Sequence, residues 1–135
     1  MQETHLWGRR LDLGKEPLDG EHHLQIALAS ALAESIEQRR PWMAARLVDQ
    51  LAGYSAAHFT GEQLLMEASG YAQLGEHLEE HKALLAHIDE IRSLLLGGEY
   101  ELALPMSLDL LTGLGSHIAA SDRRFAEHDS SQRRA

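Results

Sequence analysis

The stretch Ala56–Met66, AAHFTGEQLLM, sets His58 four residues before Glu62 inside a run that otherwise reads as buried helix. Residues four apart on a helix differ by only ~40° in azimuth and so share a face. Stepping back from His58 reaches Leu51 and Leu47, and stepping forward through Glu62 reaches Leu65, so both ionisable side chains fall on the apolar stripe. The same count from His22 meets Ile26, Ala29, Ala33 and Ile36, and from His77 and His81 it meets Leu84, Leu85 and Ile88. His117 follows Leu110 and Leu114. Asp122 comes five residues after His117, a separation of ~140° on an ideal helix, so it joins this set only if the helix distorts there. Gly113 and Gly115 weaken the helix at that point.

Burying imidazoles and carboxylates without partners costs ~1–3 kcal/mol for each unsatisfied group, so an inward set of this kind demands something to bind. The 135-residue chain has no cysteine. Disulfides, thiolate zinc sites and iron–sulfur clusters are therefore excluded, and imidazole with carboxylate suits iron, manganese or zinc. The set His22, His58, Glu62, His77, His81, His117 and Asp122 is too large for one ion. Two ions bridged by Glu62 and Asp122 would use all of it, and facing helices in a bundle core are an established setting for dinuclear carboxylate sites. His5, His23, His87 and His128 are read as ordinary surface or edge residues, and Asp19 as a helix N-cap.

Residues 1–18 carry Gly8, Gly14 and Pro17 without a sustained period and read as an extended arm anchored by Trp7. Helical patterns follow over about 20–39, from Pro41 to the Ser-Gly-Tyr at 69–71, from there to Gly97-Gly98, and from near Glu101 onward. Pro105 is tolerable only within the first turn of the last helix. Short connections between long amphipathic helices predict an all-α, up-down-up-down four-helix bundle over residues 19–127, followed by a polar tail at 128–135 expected to fray. The net charge of −9, from 21 acidic and 12 basic residues, argues against nucleic acid and anionic membrane surfaces as partners. No apolar run has the length of a signal-peptide core or a membrane span, so a cytoplasmic protein is expected.

These residues carry a family resemblance. LGKEPLDGEH ending at His22, YSAAHFTGEQLLM around His58 and Glu62, HLEEH at 77–81 and HIAASD at 117–122 follow one another in a way that resembles the ligand blocks of a bacterial hemerythrin domain, and the likeness covers nearly everything from Trp7 to Phe125. The resemblance implies a bundle enclosing two non-haem iron ions with a bridging oxo or hydroxo group. One iron would take His77, His81 and His117, the other His22 and His58, with Glu62 and Asp122 bridging both. The two-histidine iron is then one ligand short, and dioxygen would bind there reversibly, for storage, delivery or scavenging. Azide or nitric oxide would compete for the same position. The matching blocks place Phe59, Leu114 and Ile118 around an oxygen pocket, where they would exclude water.

The sequence departs from the family pattern W-L-x-x-H-I, in which a tryptophan commonly stands four residues before the last histidine: GLGSHI has Gly113 there. A looser pocket with faster autoxidation is expected unless Trp42 or another side chain fills the gap. Alternatives within the same resemblance are a sensory domain signalling to a partner and a di-iron oxidase or peroxidase. Five histidines against two carboxylates lean toward binding without O–O cleavage, because hard oxygen ligands favour the higher oxidation states that cleavage needs. HLEEH also fits the H-x-x-E-H pattern of zinc peptidases, but both its histidines already belong to the inward stripe.

Overall fold

The computed structural model describes residues 13 and 18–134. The expected arm, its Trp7 anchor and His5 lie outside the described residues, except for Leu13 and Leu18. Four long antiparallel helices form the bundle: α1 (Leu18–Glu37), α2 (Pro41–Ser69), α3 (Leu74–Leu96) and α4 (Tyr100–Ser116). A π-helical segment, His117–Asp122, continues α4, and α5 (Arg123–Arg134) continues the segment. α1 packs on α2 and α4, and α3 packs on the same two helices. This closes a four-sided bundle with one shared interior.

The helix ends follow local chemistry. Pro41 begins α2, where its missing N–H would have had no intrahelical partner. Gly70 stops α2 with φ of 65°, a left-handed conformation that costs a residue without Cβ nothing, and the Gly70 and Tyr71 N–H groups donate to the Glu67 and Met66 carbonyls. Gly98, at φ 75°, does the same work after α3.

Three local expectations are corrected. Asp19 is not an N-cap: α1 begins one residue earlier, and the Asp19 carboxylate accepts from the Leu13 N–H at 2.8 Å, tying the approaching chain to the first turn. Pro105 lies in the second turn of α4, not the first. It is exposed there, and the Glu101 carbonyl that its missing N–H would have engaged belongs to an exposed residue near the helix start. The chain beyond residue 127, expected as an irregular polar tail, continues as helix to Arg134. Phe125 anchors α5 by packing edge-on to Tyr71 at 5.2 Å, over Met66.

Toward the α1–α2 and α3–α4 turns the interior is apolar, filled by Leu32, Ile36, Val48, Leu51, Ile88, Ile91 and Leu110. Toward the other end the same stripes carry His22, His58, Glu62, His77, His81, His117 and Asp122, every one of them buried. The apolar half holds the bundle together and leaves the polar half to be fixed by its own contacts.

Candidate metal centre

The π-helical segment settles the position of Asp122. In an i→i+5 turn a residue five along returns to the face an α-helix gives to one four along. The widened turn therefore brings Asp122 beneath His117, with Oδ1 3.2 Å from Nε2. A chain lacking exposed Ala120 should revert to an ordinary turn, keep its carboxylate on this face and retain metal. Loss of both Ala119 and Ala120 swings that carboxylate a further ~100° away. Metal content of the two deletion chains, compared at equal helicity, checks this; equal loss in both would contradict it.

All seven expected residues come together, in two groups that share their carboxylates. Glu62, His77, His81, His117 and Asp122 form one, and His22, His58, Glu62 and Asp122 form the other; in each, one ligand atom per residue lies within 4.8 Å of all the rest. The carboxylate oxygens are divided between them. Glu62 Oε1 faces His81 Nε2 at 3.1 Å and His77 Nε2 at 3.8 Å, while its Oε2 faces His22 at 3.1 Å and His58 at 3.3 Å. Asp122 Oδ1 lies 2.9 Å from His77 Nε2, and Oδ2 lies 3.1 Å from His22 Nε2.

Despite these separations, His58 Nε2, His77 Nε2, Glu62 Oε1 and both Asp122 oxygens make no aligned hydrogen bond, although they are sealed from solvent. Lone pairs that converge without pointing at one another suit a cation placed among them. Nitrogen and oxygen donors without sulfur fit iron, and the residues present therefore fit the group that the resemblance implies.

With no metal ion bound, the carboxylates draw protons onto the imidazoles they face, protons that a bound cation would have to displace. Burial opposes protonation of His22 and His77, but the adjacent Asp122 and Glu62 carboxylates outweigh it and push both up to about 9. Burial likewise opposes ionisation of the carboxylates, and the surrounding imidazoles nonetheless hold Glu62 and Asp122 below their ordinary values. His81 differs: burial lowers it, and the neighbouring His117 and His77 add to that against the pull of Glu62.

Residues that sequence reasoning missed fix the rings from outside. His58 Nδ1 lies 2.6 Å from Glu21 Oε1, His117 Nδ1 2.8 Å from Glu80 Oε1, and His81 Nδ1 3.0 Å from the Gln63 amide. Ser121 Oγ donates to Glu80 as well. The two carboxylates accept the Nδ1 proton and so set the tautomer, leaving Nε2 free to face the centre and making each ring a stronger donor; the Gln63 amide does the same for His81 when its oxygen is the atom turned to Nδ1. Glu80 thus lies on the far side of His117 and not beside a shared metal and water, which removes the zinc-peptidase reading of HLEEH. Glu21 and Glu80 each stand next to a histidine in sequence but reach across to one on another helix, so no spacing rule within a helix finds them.

Phe59 stacks on His81 with ring centroids 3.9 Å apart and stands 5.8 Å from His58, so it spans both groups. Leu114 and Ile118 are fully buried nearby in sequence to His117. Gly113 borders a surface recess of about 300 Å³ with Glu80, Ala83, Leu84, Ser116, His117 and Ser121. The space beside Gly113 therefore opens on the outer edge of His117. Trp42 does not fill it, being 67% exposed at the start of α2 with the Arg46 guanidinium over its ring. His87 sits at the bundle edge, its Nε2 2.9 Å from the Met106 carbonyl, and His128 packs beside Tyr71.

Residues 14–128 match the family of the hemerythrin HHE cation binding domain. The chain belongs to the hemerythrin family. Among curated relatives it is similar to the bacteriohemerythrin of Stenotrophomonas maltophilia, 24% identical over 90% of this chain and 79% of that protein. It is also similar to that of Ralstonia nicotianae, 27% identical over 87% of this chain and 82% of the relative. The bacteriohemerythrin of Pseudomonas aeruginosa is 24% identical over 70% of this chain, and the match spans 61% of the relative's length. No solved structure matches the chain at a significant level. A hemerythrin domain implies an iron-binding site, and the buried histidine and carboxylate cluster could hold metal.

Proposed function

We propose that this hemerythrin-family chain holds two iron ions joined by an oxo or hydroxo group and binds dioxygen reversibly without transforming it. The supporting observation is the division of each carboxylate: Glu62 and Asp122 both turn one oxygen to the three-histidine group and the other to the two-histidine group. His77, His81 and His117 would hold one ion, His22 and His58 the other, with Glu62 and Asp122 bridging. When bound, the ferrous pair supplies two electrons and an open coordination position for dioxygen, on the ion with fewer histidines.

The chain's own side chains do the rest. Glu21 and Glu80 orient one imidazole in each half, and Gln63 orients a third with a neutral amide. Leu114 and Ile118, 0% and 1% exposed, together with Phe59 keep water from the interior and offer no proton. Histidines outnumber carboxylates five to two across the two groups. That donor set supports binding in preference to oxidase or peroxidase chemistry. Among the described residues no helix is long and apolar enough to cross a membrane.

The test is the visible spectrum of the iron-loaded ferrous protein before oxygen, after oxygen and after its removal. A charge-transfer band that comes and goes with oxygen supports a carrier; an irreversible passage to the oxidised spectrum overturns reversible binding. Gly113→Trp is expected to fold and load normally, since its Cβ meets only Leu84 Cδ2 at 3.7 Å and the ring has the adjoining recess of about 300 Å³ to enter. By filling the recess beside Glu80 and His117 it should slow autoxidation severalfold. An unchanged autoxidation rate would show that water reaches the centre by another route.

A further inference from the structure

The two-histidine half has a polar floor. α1 and α2 run antiparallel, so the turn after His22 is level with the turn before His58, and those rings approach edge to face at 4.8 Å. Gln25 and Ser55 occupy that level, 1% and 0% exposed, with the Gln25 amide nitrogen donating to Ser55 Oγ at 2.9 Å. Leu114, also buried, stands one turn before His117 on α4. The Gln25 amide oxygen is sealed from solvent and has no hydrogen-bond partner.

An enclosed amide with an unused acceptor carries its desolvation cost uncompensated, whereas Ile26 and Leu32 on the same stripe carry none. Because the Ser55 hydroxyl can donate or accept, the amide can also turn over and present its NH₂ where its oxygen now lies. It is therefore able to serve a ligand of either polarity. We propose that Gln25, steadied by Ser55, is the hydrogen-bonding contact for a small polar ligand, or the water it displaces, at the two-histidine side of the centre. This inference rests on the two-iron reading of the cluster. The pocket then favours ligands that can hydrogen-bond over apolar ones of the same size, and Gln25 is its specificity-determining residue.

Azide is the probe, titrated into the oxidised iron-loaded protein and followed by its charge-transfer absorption, with iron per chain measured on every sample. Gln25→Leu keeps the volume and the iron content but removes the contact, and azide affinity should fall about tenfold, the loss of one hydrogen bond. Ser55→Ala should shift affinity the same way by less, because it frees the amide without deleting it. Unchanged azide affinity in both variants at full iron content would overturn the role of Gln25. Absence of iron from the parent protein would overturn the two-iron reading, and this inference with it.

Discussion

Glu62→Ala is expected to reduce iron uptake from two ions to fewer than one per chain. Among the described residues its carboxylate alone lies within 4 Å of four separate imidazoles, those of His22, His58, His77 and His81, and it serves both halves of the cluster. No neighbour can replace it: Asp122 already faces His22, His77 and His117, and Glu21 and Glu80 lie outside the rings. Removal also leaves buried imidazolium without its counter-charge, and breaking one partner out of a buried ionic set costs about 3–5 kcal/mol. The metal-free variant should therefore melt below the metal-free parent. Metal analysis and thermal unfolding read the two effects separately, and an alanine variant that still loads two ions would show that Glu62 is not a bridge.

The second large effect is that of the metal itself on stability. An ion that binds only the folded chain stabilises it by about 4 kcal/mol when present at a thousand times its dissociation constant. For a chain of this size that corresponds to a melting temperature higher by roughly 10–15 °C. Chelation should remove this increment without dissolving the bundle, because Leu32, Ile36, Leu51, Ile88, Ile91 and Leu110 form an apolar core that needs no ion. A loss of helicity on chelation at 25 °C would mean that this core cannot stand alone.

Much of this was legible in the sequence because one rule, the helical period, governs both core and site. His22, His58, Glu62, His77 and His81 share faces with Ile26, Leu51 and Ile88, so the count that finds the core also turns these groups inward. Asp122 resisted the count because a π turn has no mark in the hydrophobic pattern; only the widened turn itself brings a fifth residue back to the face. Glu80 and Glu21 escaped because their contacts cross between helices. Gln25 did leave a signal, since it lies three residues after His22 on the inward stripe and is polar. Glutamine is also an ordinary helix former, and its burial, 1% exposed, is what sets Gln25 apart.

The most direct measurement is an anaerobic titration of the metal-free protein with ferrous iron, scored as ions bound per chain. A break at two, lost together in Glu62→Ala and in Asp122→Ala, is the result required by two ions that share both carboxylates. A break at one, or two ions of which each variant loses only one, would contradict a shared centre.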